Sequence, residues 1–153
     1  MIWSDGKWRF TLLIVLAVAG CGPVYDGPPL TKVTGVVTLD GEPLSGADIL
    51  LIPQGTTLGQ GGAGRTDASG RFSLKSPDGK FEGVVQGGYR VVINKLVTPD
   101  GADFVPTPDM DPMTAAYREI LPAIYSDSVH TTLTAQIGPG TPPLEFKLVS
   151  QPH

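Results

Sequence analysis

The sequence offers few of the residues from which most functional sites are built. It has one cysteine, which excludes an intrachain disulfide. It has two histidines, His130 and His153, and with a single thiol beside them a zinc site lacks ligands. Charged residues make up 17% of the chain and the formal net charge is −4, so the basic footprint of a nucleic-acid binder is absent. The apolar run Phe10–Ala19, broken only by Thr11, would be about 15 Å long as a helix, half the ~30 Å hydrocarbon core of a bilayer. From residue 21 onward no stretch shows a sustained helical period, although 112–118 has room for a turn or two. What is plentiful is glycine and proline, 20 and 15 residues, beside 41% hydrophobic residues. That pairing describes one domain of short strands joined by many turns.

Lys7 and Arg9 precede the apolar run, Asp5 partly offsets them, and Gly20, Cys21, Gly22 and Pro23 end it. A charged start, a short apolar middle and small residues after it predict an export signal over residues 1–20. Val18-Ala19-Gly20-Cys21 resembles the lipobox of bacterial lipoproteins: an aliphatic residue and two small ones before a cysteine. Small residues suit a peptidase that grips extended backbone, and a cysteine thiolate is the nucleophile that a lipid donor can alkylate. The resemblance implies a diacylglyceryl thioether on Cys21, cleavage before it and acylation (a palmitate, for example) of the new amine. Two or more acyl chains anchor stably, at about 0.8 kcal/mol per buried CH₂. The alternative is ordinary signal cleavage that leaves Cys21 free. Loss of Lys7, Arg9 and Asp5 takes the formal charge from −4 to −5 for residues 21–153. Residues 21–31, rich in Gly and Pro, read as a tether. Gly22 is not the aspartate that holds some lipoproteins at an inner membrane, which favours the outer membrane of the cell envelope.

The remaining chain, residues 32–150, alternates with period two. Lys32–Leu39 is β-branched and ends at Asp40-Gly41, a pair suited to tight turns. Ala47–Ile52 is stopped by Pro53, and Asp67-Ala68-Ser69-Gly70 turns the chain into Arg71–Lys75, with Phe72 and Leu74 on one face. Tyr89, Val91 and Ile93 share a face opposite Arg90, Val92 and Asn94; Leu133, Ala135 and Ile137 form another apolar face, as do Leu144, Phe146 and Leu148. About six or seven short strands, each with one apolar face, require two sheets packed together: an all-β, small antiparallel sandwich. Val33-Thr34-Gly35-Val36-Val37, Asp40–Ala47, Thr66–Leu74 and Gly88–Val92 resemble, in order and spacing, the landmarks of carboxypeptidase regulatory-like domains. That resemblance implies a seven-stranded transthyretin-like (prealbumin-like) sandwich. Leu121–Asp127 followed by Thr132–Ala135 resembles the tail of planctomycete-type lipoproteins that join a lipobox to this domain.

No residue set makes a convincing active site, and no cofactor is expected. Gly59-Gln60-Gly61-Gly62-Ala63-Gly64 fits G-x-G-x-x-G, but a strand rather than a helix follows, so a flexible loop is expected instead of a phosphate cradle. His130 has Ser126, Asp127 and Ser128 close in sequence, too close to converge as nucleophile, base and orienter. Residues 96–128 carry Pro99, Pro106, Pro108, Pro112 and Pro122 and little strand pattern, and loops this long are usually functional or disordered. Six acidic residues there (Asp100, Asp103, Asp109, Asp111, Glu119, Asp127) stand against Arg118 alone. Asp109-Met110-Asp111 can offer oxygens to a cation, but without the spacing of a calcium loop, and a solvated acidic loop is expected. Tyr117 and Tyr125 are expected to pin the loop or, with Phe104, to stack on a sugar. Asp109, Asp111, Tyr117 and Tyr125 are thus the candidate partner-binding residues. The function expected is that of a lipid-anchored, non-enzymatic envelope lipoprotein whose sandwich is a structural or protein-interaction module. A carbohydrate-binding module, or one that takes a peptide on a sheet edge, is the alternative.

Overall fold

The computed structural model describes Gly22 and residues 24–111 and 114–152. The expectations for the export segment, for Val18, Ala19 and Gly20, and for Cys21 lie outside the described residues. Among the described residues, twelve strands and one helical turn follow in chain order: β1 (Leu30–Thr31), β2 (Thr34–Leu39), β3 (Glu42–Pro43), β4 (Asp48–Pro53), β5 (Gly62–Arg65), β6 (Arg71–Ser73), β7 (Val84–Val85), β8 (Gly87–Asn94), β9 (Leu96–Val97), β10 (Arg118–Glu119), α1 (Ala123–Ser126), β11 (Thr134–Ile137) and β12 (Leu144–Leu148).

Two four-stranded sheets dominate. One has the order β11-β8-β4-β5; in the other β2 is central, with β12 on one side and β3 and β6 on the other. Their inward side chains form one core that includes Val37, Ile49, Leu51, Phe72, Leu74, Tyr89, Val91, Ile93, Ile137, Phe146 and Leu148. The chain is nearly all-β, a sandwich built as the alternation requires. Tyr89, Val91 and Ile93 are all 1% exposed or less. Phe72 and Phe146, from strands on opposite sides of β2, stack with ring centroids 6.1 Å apart. Gly35 lets them do so, because a Cβ there would meet the Phe72 ring.

Four features differ from the sequence expectations. First, β12 pairs with β2 in parallel, whereas every other strand pairing among the described residues is antiparallel. The link from Ile137 to Leu144 passes from one sheet to the other, so β12 is not the return arm of a hairpin. Second, only the first half of the glycine-rich run, residues 59–61, lies outside a strand: Gly62–Arg65 is an edge strand in register with Asp48–Leu51. Third, the tether ends in pairing, with Leu30 opposite Val85 and Thr31 opposite Val84. Fourth, the helical turn lies at Ala123–Ser126, whereas among the described residues of 112–118 Thr114 and Ala115 donate to the Asp111 carbonyl and Arg118 begins β10.

One seam of the sandwich is closed. β6 pairs with β2, and two residues later Lys75 exchanges both backbone hydrogen bonds with Ala63 of β5, at 2.8 and 2.9 Å. Gly64 allows this crossing, since a Cβ there would lie 2.7 Å from the Ser73 carbonyl oxygen.

Candidate partner-binding cleft

Residues 96–128 are folded onto one end of the sandwich. Where β8 ends, β9 and β10 form a two-residue ladder, Leu96 opposite Glu119 and Val97 opposite Arg118, which brings the two ends of the acidic segment together. Glu119 fixes that ladder: its carboxylate accepts from the Asn94 amide at 2.9 Å, the Lys95 N–H at 3.0 Å and the Leu121 N–H at 2.8 Å. The next turn is held by Gly101 N–H on the Thr98 carbonyl and by Phe104 N–H on the Leu96 carbonyl.

Two cations clamp this turn to the sheets. Lys95 is 5% exposed; its ammonium pairs with Asp103 and donates to the Ser45 carbonyl at 2.6 Å. Arg65 grips both Asp48 oxygens at 2.7 and 2.8 Å and also donates to the Phe104 carbonyl at 3.2 Å. Sequence reasoning missed both clamps. The signal available was a lysine closing an otherwise apolar strand, Tyr89–Lys95, a position where a buried charge has to be paired.

The result is an open cleft of about 180 Å³ lined by Leu96, Phe104, Pro106, Thr107, Met110, Ala115 and Tyr117. The Phe104 and Tyr117 rings lie 4.6 Å apart at 32° and form one wall. Phe104 is buried whereas Tyr117 is 47% exposed, so the wall offers an aromatic face to the outside. The volume is below the roughly 300–1,000 Å³ of most small-molecule sites and suits a single apolar side chain or one ring.

Of the four candidate residues, Tyr117 lines this cleft. Asp109 and Asp111 are exposed chain neighbours of Met110, which lines it. Tyr125 is elsewhere: it sits in α1, 6% exposed, within the core, and its hydroxyl accepts from the Val149 N–H at 3.3 Å. It ties the segment to β12 and has no face free for stacking. Asp100, Asp103, Asp109 and Asp111 are exposed, yet several acidic residues of the segment also hold it in place. Asp103 and Glu119 serve the clamps, and the Thr98 hydroxyl holds the Asp100 carboxyl below the usual carboxylate range.

Asp127 caps the turn after α1, accepting from the Val129 N–H at 2.7 Å and the His130 N–H at 3.2 Å; these bonds, led by Val129, lower its pKa. His130 Nδ1 is 3.2 Å from the same oxygen, but the Ser126 hydroxyl engages the Leu121 and Pro122 carbonyls, so the trio forms no relay. Among the described residues no three His, Cys, Asp or Glu are grouped to hold a metal, and no helix is long and apolar enough to cross a membrane. Comparison of the chain with protein-family models, with curated proteins and with solved structures finds no match.

Proposed function

We propose that the chain is an exported lipoprotein of a bacterial envelope, held by lipid on Cys21, whose sandwich is a non-catalytic interaction module. In this reading the sandwich is a carboxypeptidase regulatory-like, transthyretin-like domain. Seven of its strands (β2, β4, β5, β6, β8, β11 and β12) have three or more residues, which supports that assignment. One observation carries the functional reading. The tether joins the sandwich beside the start of β8, where Leu30 pairs with Val85, and the cleft lies just past its end, beside Leu96. The eight residues of β8 put about 23 Å between the two, at roughly 3.3 Å per residue. An anchor at one end and an aromatic-walled cleft at the other is the arrangement that a membrane-held presenter needs.

Two experiments test this. Cys21→Ser should move the protein from the membrane to the soluble envelope fraction; a mutant that stays membrane-bound removes lipid as the anchor. A photo-crosslinking residue at Ala115 should capture one envelope partner, and Tyr117→Ala should abolish the capture. Specific retention on a glycan column, lost in Tyr117→Ala, would favour the second reading, a sugar-binding module that stacks on the Phe104–Tyr117 wall.

A further inference from the structure

The tether end of the sandwich has a surface that the interaction reading leaves unused. Tyr25 is not loose: its ring meets Phe81 edge-on at 5.0 Å. Around this pair lies a second cleft of about 290 Å³, lined among others by Leu30, Gly59, Pro77 and Val85. The chain neighbours of its lining residues are bare apolar side chains: Val24 is 88% exposed and Leu58 64%. The charges beside it balance in sign: Lys75 pairs with Glu82 at 2.9 Å and Lys80 with Asp78 at 3.6 Å, and Asp26 and Lys32 add one of each.

We infer that this end, Val24, Tyr25, Leu58 and Phe81, rests on the lipid surface, so that the sandwich stands on the membrane in one orientation. The inference rests on the lipid anchor proposed above. Chain length supplies the first argument. Tyr25 is four chain steps from Cys21, so the backbone that carries the lipid lies within about 14 Å of the Tyr25 backbone, at no more than ~3.6 Å per step. With Tyr25 seated and Leu30 in a ladder, the anchor cannot swing the domain far from the bilayer. Composition supplies the second. Tyrosine with aliphatic neighbours is what the membrane interface accommodates, the ring at headgroup level and the apolar groups below. Charge supplies the third. The acidic 96–128 segment at the opposite end is repelled by an anionic leaflet, and the charge-matched tether end is not.

The mature chain provides a clean probe, because both tryptophans, Trp3 and Trp8, precede Cys21. The lipidated protein is purified with Leu58→Trp or Val24→Trp and reconstituted in phosphatidylethanolamine–phosphatidylglycerol vesicles, with Val105→Trp, an exposed site on the cleft segment, as the reference. All three sites are exposed, so each variant keeps the core. Emission from the two tether-end variants should shift to the blue and be quenched by brominated lipid at least about twofold more than Val105→Trp, as befits interfacial residues. Equal quenching at the two ends, with the protein floating on the vesicles, overturns the orientation and leaves the anchor intact. A blue shift without lipid quenching overturns it too, in favour of a second copy on the patch. Protein that fails to float, or unsubstituted protein that shows tryptophan emission, overturns the anchor reading itself.

Discussion

At the scale of single residues, the fold depends on a few polar groups placed where a plain hydrophobe of the same shape would fail. Thr66 is 5% exposed, and its hydroxyl both donates to the Leu44 carbonyl at 2.6 Å and accepts from the Ala47 N–H at 2.8 Å. It therefore closes the two ends of the Leu44–Ala47 turn with one side chain. Thr66→Val keeps the shape and strands two buried backbone groups. It should cost about 2–4 kcal/mol, while Thr66→Ser should cost about 1 kcal/mol for the lost methyl. Urea melts of the three proteins decide the matter, and a valine variant as stable as the wild type would show that water satisfies the turn. Asp103 is the second such residue. Asp103→Ala leaves the Lys95 ammonium buried with only the Ser45 carbonyl, a loss of about 1–3 kcal/mol given that Asp103 itself is half exposed. Lys95→Met removes the charge along with the pair and should cost less. Hydrogen exchange should rise across residues 98–119 in Asp103→Ala and weaken the cleft; unchanged exchange there would mean that Glu119 and Arg65 suffice.

At the scale of elements, the strands that were legible in the sequence are those whose alternation reports burial directly. Leu144–Leu148 was read at its observed bounds, and β4 and β8 within one or two residues, because each sends alternate apolar side chains into the core. β5 was illegible for a physical reason: Gly-Ala-Gly-Arg has almost no side chains with which to alternate. Its glycines serve backbone approach. A Cβ at Gly62 would collide with the Val84 side chain, and Gly61, at φ +89°, faces the Leu51 carbonyl. The match to a phosphate-binding pattern is thus a consequence of close strand packing. Gly61→Ala should cost about 2 kcal/mol or more, since it adds strain in the left-handed region to a backbone clash. Gly138→Ala, where nothing lies within 4 Å of a Cβ, should stay within about 0.5 kcal/mol. Equal midpoints in thermal melts would refute this account of β5. The candidate site was half legible. The aromatic and acidic residues were visible as composition, but their sorting into wall, clamp and core was not, since it depends on β9 and β10 pairing across a sequence gap too long for any local pattern to signal.

At the scale of the whole molecule, exposed aspartates close turns at several points on the surface, and they act in the same direction. Hydrogen bonds lower the pKa of Asp40, through Ser150; of Asp67, through the Ser69 hydroxyl and the Arg71 and Ser69 N–H groups; and of Asp78, through the Ser76 hydroxyl. Asp100 and Asp127 follow the same rule through Thr98 and Val129. A carboxylate held below its unfolded value stabilises the fold at pH above that value, about 3.9 for aspartate, and the contribution disappears as pH falls through the lower folded value. With five such groups of one sign, the melting temperature should be flat from pH 7 to about 5 and should fall as the pH drops below about 4. Each aspartate is solvent-facing, so single variants act modestly and the joint effect is the measurable one. Asp67→Asn tests the cause at one site. It keeps an oxygen acceptor for the Ser69 and Arg71 N–H groups, at 2.8 and 3.0 Å, but does not titrate. Its melting temperature should lie below wild type at pH 7 and approach it at pH 3, because only the wild type has a charge to lose. A constant offset between the two proteins across that range would mean that the Asp67 turn is held by shape alone and that acid sensitivity originates elsewhere in the chain.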